Sequence, residues 1–329
     1  MTRRARLTAV GVASLALLPI GLFVGSVGLE PGEVLGVLVG GGSTTHRDLV
    51  LGFRLPRLLL ASILGGGLAL AGATFQALLR NPLAEPYILG VSGGAAVGAV
   101  VVLALGLTTL ASWTLPLAAF AGALLAITIV FRVATAAGRA LDVRVLLLAG
   151  VVTGAFFAAV ISFILAVSDA RTVRSAVLWM MGSTAGADWQ TVAVAAAYTL
   201  PTALVIIALA RPLNTLAVGE ETALYLGTDV ERVKRIAFAA ASLVTAAGVS
   251  VAGVIGFVGL VVPHALRLVV GSDHRILLPL CFLVGAAFLT TADTLARVIL
   301  SPTEIPIGVV TAFVGVPIFL VLLRRSAFR

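Results

Sequence analysis

The chain has 329 residues, of which 60% are hydrophobic and only 11% charged, and its mean hydropathy is +1.16. A soluble domain carries about a quarter charged residues, so this composition excludes a water-soluble globular protein and indicates a polytopic membrane protein. The formal charge of +8 is spread over loops between apolar runs and does not form a nucleic-acid footprint, and the lone Cys281 excludes an intrachain disulfide.

Charge-free runs predict the spans in chain order. Met1 to Arg6 followed by Leu7–Leu29 imitates a signal peptide, but 23 uncharged residues are enough to cross ~30 Å of hydrocarbon, so an uncleaved first span is expected. The second span is Leu58–Leu79, entered through Arg54-Leu55-Pro56-Arg57. Tyr87–Phe131 is too long for one helix and splits at Thr108–Trp113 into the third and fourth. Val145–Ser168 is the fifth, and Ser175–Ala187 is an interfacial segment anchored by Trp179. Thr191–Ala210, Ile236–Ala252, Gly256–Gly271, Ile276–Ala292 and Ile305–Leu323 complete ten. The span at 256–271 has the weakest pattern, because it holds Pro263, His264 and Arg267.

Charge bias sets the orientation. With both termini cytoplasmic, only Arg47, Arg54, Arg57, Arg171, Arg174 and Arg297 lie outside, and the other sixteen basic residues lie inside. Removing the span at 256–271 would place Arg324 and Arg325 outside, so parity favours keeping it. Glycines at four-residue spacing (Gly90, Gly94, Gly98; Gly182, Gly186) let helices approach closely, and packing within one subunit is the simpler expectation than a dimer contact.

No Gly-x-x-x-x-Gly-Lys-Ser/Thr loop exists, and the only lysine, Lys234, follows Val233, so the chain cannot cradle ATP itself. His46, His264 and His274 have no metal-ligand spacing. An intramembrane hydrolase would have to join His264 to Asp293, which is a weak alternative. Asp293 and Arg297 are spaced for an intrahelical ion pair, and Gln76 needs a partner inside the bundle, more often another helix than a solute.

Residues 211–235 form the longest polar cytoplasmic stretch. Asn214 or Thr215 can cap a short helix, and Gly219 interrupts it. Glu220 to Leu226 forms a second helix stopped by Gly227, and Thr228-x-x-Glu231 reads as a capping box for the next span. Leu216, Val218, Ala223, Leu224 and Leu226 give this loop an apolar edge, which is what a docking surface needs, the alternative being a loop folded against the lipid headgroups.

Taken together, the chain resembles the FecCD-type, BtuC-like permeases of ATP-driven importers for iron chelates, haem and cobalamin. The resemblance rests on Arg54-Leu55-Pro56-Arg57, Gln76 through Ala95, Leu146 to Gly150, Trp179 to Ser183, Gly256 to His264, Asp273-His274-Arg275, Ala292 to Arg297 and Glu304 to Thr311, in order along almost the whole chain. It implies a single all-α permease unit over residues 1–329 with ten transmembrane helices in the cytoplasmic (inner) membrane. It also implies a homodimer with the solute path between copies, two separate ATPase subunits below and a solute-binding protein above, with no cofactor. By resemblance, Arg54, Arg57 and Arg297 dock the binding protein. Leu213, Asn214, Gly219, Glu220, Glu221, Ala223, Leu224, Leu226 and Gly227 form the coupling segment for the ATPase. Asn81 and Leu83 mark one cytoplasmic gate, and Asp142 and Val143 a second, although an aspartate departs from the small hydroxyl residues usual there. The expected cargo is a ferric siderophore first, then haem or cobalamin. An ion-driven secondary transporter is the rival of another class, but it needs midplane carboxylates, and the acids here (Glu85, Asp142, Asp169, Asp293, Glu304) fall at span ends or in loops.

Overall fold

A computed structural model describes the backbone of residues 3–136 and 141–327, with side chains for 5–136, 141–322 and 324. Arg139 and Arg329, expected inside, lie outside the described residues, as do the side chains of Arg3, Arg4 and Arg325. Among the described residues the chain forms sixteen α-helices. The first four are α1 (Arg3–Leu17), α2 (Ile20–Phe23), α3 (Pro31–Leu38) and α4 (Thr44–Arg47). They are followed by α5 (Leu55–Leu78), α6 (Val91–Ala104), α7 (Thr114–Thr135) and α8 (Val143–Ala166). Then come α9 (Ala170–Met180), α10 (Trp189–Ala208), α11 (Ala210–Val218) and α12 (Glu220–Tyr225). The last four are α13 (Val230–Ala252), α14 (Val258–Val270), α15 (His274–Val298) and α16 (Ile307–Ala327).

Among the described residues, seven helical stretches are long and apolar enough to cross a membrane: Ala5–Phe23, Thr44–Leu78, Thr114–Thr135, Val143–Ala166, Trp189–Ala208, Val230–Ala252 and His274–Val298. The expectation of ten is therefore met by length in seven. The other three positions hold two short apolar helices, Val91–Ala104 and Val258–Val270, and α16, whose 21 residues are described with side chains over the apolar stretch Ile307–Leu322. At 1.5 Å per residue, a 13-residue helix such as α14 spans only about 20 Å.

The short helices have local causes. Gly90 adopts φ 75° ahead of α6, a left-handed geometry that glycine reaches without a Cβ penalty. Between α13 and α14 the backbone leaves helical geometry, with positive φ at Gly253 and Phe257, and its N–H groups need partners inside a bundle. The segment after α5 supplies them: Ile255 N–H donates to Tyr87 Oη at 3.2 Å and Phe257 N–H donates to Glu85 Oε1 at 2.7 Å. Gln76 fastens the same junction, donating to the carbonyls of Ala84 (3.2 Å) and Gly259 (3.2 Å) and accepting from Arg267. It is interhelical glue, as expected.

The second span begins earlier than its charge-free run. A π-helical stretch, Asp48–Arg54, runs directly into α5. Pro56 has no N–H and its ring crowds the carbonyl four residues back; Leu55 N–H instead reaches Val50 C=O. The expected interfacial segment is a helix that begins at Ala170 rather than Ser175, and Trp179 packs against the core. Asp188 caps α10 by accepting from Thr191 N–H at 2.7 Å.

Helix α5 is the axis of the bundle, packed by α10, α13, α14 and α15. Small residues permit this. A Cβ on Gly72 would sit 1.9 Å from the Gly259 carbonyl, and one on Gly94 would sit 2.3 Å from that of Gly122. Gly94 and Gly98 both face α7 of the same chain, which agrees with packing within one subunit, whereas Gly186 has open space around it. Gly72→Leu should force α5 and α14 apart, at a cost of several kcal/mol by analogy with overpacked cores. The expected result is loss of the monodisperse detergent-solubilised peak in size-exclusion chromatography, and an unchanged peak would contradict the packing described.

The peripheral helices expose apolar side chains, including Leu148, Val152, Phe156 and Phe163 on α8. Such an outer surface suits a hydrocarbon solvent rather than water.

Candidate functional site

Three groups of side chains sit away from the apolar bulk. The first lies at the start of α5 and the end of α15. Asp293, 1% exposed, accepts from Arg57 Nε at 3.0 and 3.1 Å and from the Thr184 hydroxyl. Arg297 Nε stands 3.2 Å from Asp293 Oδ2, one helical turn away, as the spacing predicts. Arg57 also grips Glu304 with two parallel bonds of 3.0 and 2.9 Å, a bidentate geometry that fixes orientation as well as charge. Arg54 and Arg297 turn inward: Arg54 donates to the carbonyls of Leu22 (2.7 Å) and Val27, and Arg297 to that of Gly21 (3.2 Å). Both are buried, and they fasten the chain after α1 to α5 and α15. Sequence reasoning brought the three arginines together but missed Glu304 and Thr184 as partners. His264 stands against Phe319, while Asp293 is engaged by Arg57, Arg297 and Thr184, so nothing joins the two residues of the hydrolase alternative.

The second group is the paired short helices α11 and α12. Gly219 separates them at φ 144°, and Gly227 at φ 79° ends the pair, as expected. Two capping expectations are corrected. Asn214 and Thr215 lie inside α11, which begins at Ala210. Helix α13 is capped by Asp229, accepting from Arg232 N–H at 3.1 Å, and not by Thr228. Asn214 instead holds the turn before α15: its amide donates to Asp273 Oδ1 at 2.8 Å and its oxygen accepts from His274 N–H at 2.9 Å. Bonds from Arg275 and Asn214 hold the Asp273 carboxyl well below the usual carboxylate range.

Burial sorts the residues of this loop. Leu213, Leu216 and Ala223 point into the core and hold the pair in place. Val218, Leu224, Tyr225 and Leu226 face outward, with Tyr225 90% exposed. Tyr225 was not among the residues picked from sequence, although its position between two exposed leucines on one short helix was a readable signal.

The third group is the pair of turns before α6 and α8. Arg80 ends α5 in a left-handed conformation, φ 47°, and Asn81 N–H reaches back to Gln76 C=O at 3.1 Å, a Schellman-type stop. The Asn81 side chain accepts from Leu83 N–H at 2.9 Å, leaving Leu83 exposed. Asp142 caps α8, accepting from Arg144 N–H at 2.8 Å and Val145 N–H at 3.3 Å, and Val143 is the first helical residue. A cap of this kind explains why an acid stands at 142.

An apolar groove of about 600 Å³ opens where the end of α9, the 254–257 break and α16 meet, lined by Met180, Met181, Phe257, Val309 and Phe313 among others.

Comparison with known proteins places this architecture. The chain is 48% identical to the cobalamin import system permease protein BtuC of Halobacterium salinarum over 87% of its own length and 76% of that protein. It is 42% identical to the vitamin B12 import system permease protein BtuC of Klebsiella pneumoniae over 99% and 96% of the two chains. Its fold matches a solved inward-facing structure described as a metal-chelate type ABC transporter, with a TM-score of 0.86 and 30% identity over 97% of this chain and 98% of that one. The model of the FecCD transport family matches residues 13–325. The chain belongs to the FecCD transport family.

Proposed function

We propose that this chain is the membrane subunit of an ATP-driven importer whose cargo is cobalamin or a closely related chelate. The observation that carries the cargo is the 48% and 42% identity to two cobalamin permeases along most of the chain. It reverses the order expected from sequence, in which a ferric siderophore stood first and cobalamin was an alternative.

In this reading the seven long stretches, the two short apolar helices α6 and α14, and α16 make ten crossings, with both termini cytoplasmic. The apolar groove at α16 forms one wall of a path completed by a second copy of the chain. The outward edge of α11–α12 receives a separate ATPase subunit, and residues 81–83 and 142–143 narrow the inner end of the path. The outer arginines receive the acidic lobes of a solute-binding protein. Arg57 is the first choice there, because Arg54 and Arg297 are buried against carbonyls of their own chain, whereas Arg57 shares its guanidinium with the partly exposed Glu304.

Reconstituting this chain in proteoliposomes with its ATPase and binding protein tests the reading. Cobalamin should accumulate only when ATP and the binding protein are both present, while ferric siderophore and haem should not. Accumulation by the chain alone under an ion gradient would overturn the importer reading in favour of a secondary transporter.

A further inference from the structure

Lys234 is the only lysine among 22 basic residues, and it lies 4% exposed on α13. Its Nζ stands 2.6 Å from Glu220 Oε2 on α12, 3.5 Å from Glu231 Oε1 one turn away, and 3.2 Å from the Leu141 carbonyl. An ammonium has three N–H donors, and these are three acceptors from three different elements. Glu231 completes a clamp by accepting the Leu141 N–H at 2.9 Å. Both polar groups of Leu141 are thus held, one residue before Asp142 and the start of α8. Glu220 has a second partner: its Oε1 lies 3.5 Å from Arg80, one residue before Asn81.

From this geometry we infer that Lys234 is a positioning residue that ties helix α12 directly to the turn before α8 and, through their shared Glu220, to the turn at Arg80, so that a displacement of α12 is passed to residues 81–83 and 142–143 together. The inference rests on the reading of α12 as the ATPase contact. An apolar side chain of similar volume would hold three elements together at equal or lower cost, because burying charges carries a desolvation penalty that their attraction offsets only partly. What the ion pairs add is direction and register. The one non-glycine residue that α5 places in a left-handed stop, Arg80, carries a side chain to the same carboxylate. A compact ammonium can also meet three convergent acceptors, which the planar fork of arginine cannot match, and this fits a lysine at this one place in an arginine-rich chain.

Two readouts test the link. In the isolated permease, Lys234→Met and Glu220→Gln should each speed hydrogen exchange at the Leu141 amide by about tenfold, since a lost buried charge pair loosens what it held. In the reconstituted complex, each variant should lower cobalamin moved per ATP hydrolysed by about fivefold or more, and the double variant should be no worse than the weaker single one, because residues in one network are not additive. A merely destabilised protein would lose transport and hydrolysis in parallel and leave their ratio unchanged, and that result overturns the inference. So does a double variant whose losses multiply, or unchanged exchange at Leu141. If Lys234→Met does not assemble, Glu220→Gln, at a partly exposed side chain, carries both readouts. If the unsubstituted complex moves no cobalamin, the importer reading fails, and exchange at Leu141 still decides whether the tie exists.

Discussion

Replacing Leu224 and Leu226 together by glutamate should abolish ATP-driven uptake and release the ATPase from the membrane complex, while the permease itself still inserts and purifies as before. The two side chains are 60% and 66% exposed and flank Tyr225 at 90%, so their removal takes nothing from the core. Such an edge adds nothing to the core, and a contiguous exposed apolar patch marks a contact surface. Buried anchors at protein interfaces each contribute about 2 kcal/mol or more. Two lost anchors therefore correspond to a fall in ATPase affinity of the order of a thousandfold. Co-purification of the ATPase with the double variant at unchanged yield, with normal uptake, would remove α12 from the coupling role. Ala223 and Leu213 serve as the contrast: they belong to the same pair of helices but are fully buried, so Ala223→Glu should damage folding rather than docking alone.

That contrast shows where the sequence was legible. Gly219 and Gly227 announce the ends of two short helices because glycine tolerates positive φ, and both are found there. The apolar edge was legible only in part: of Leu216, Val218, Ala223, Leu224 and Leu226, the structure exposes Val218, Leu224 and Leu226 and buries Leu216 and Ala223 in the core. The caps were misjudged because the deciding partners are distant in sequence or ambiguous between neighbours. Asn214 looks like a helix start until Asp273 and His274, some sixty residues on, are brought to it, and Asp229 competes with the adjacent Thr228 for the same capping role. Short helices were legible as apolar runs but not as lengths. The end of α13 at Ala252 matches the expected end of its span, but Glu85 and Tyr87, which satisfy the backbone beyond it, lie over 160 residues away and carry no local signal. Lys234 carried a local signal, Glu231 at i−3, but its role depends on Leu141 and Glu220, which no spacing rule connects.

The outer cluster yields the second large effect, and its signs differ residue by residue. Arg57 is shared between Asp293, 2% exposed in its side chain, and Glu304, 37% exposed. If an acidic lobe of a binding protein is to reach Arg57, it must compete with Glu304 and not with the buried Asp293. Arg57→Gln should therefore weaken docking by about tenfold or more, in line with the loss of a charge-assisted contact. Glu304→Gln should strengthen it, by up to about fivefold, because it removes the competing carboxylate from a partly screened pair. Asp293→Ala should behave differently from both. It leaves Arg57 and the buried Arg297 without their shared anion, and breaking a buried ion pair costs about 3–5 kcal/mol, so thermal stability in detergent should fall sharply whether or not a binding protein is present. Binding-protein affinity for the proteoliposomes at two salt concentrations distinguishes the cases, since a contact made at Arg57 on the side of the partly exposed Glu304 is screened by salt and the stability loss at Asp293 is not. If Glu304→Gln lowers the affinity, Arg57 and Glu304 act as one fixed structural pair and the docking role passes from Arg57 to another part of the outer face.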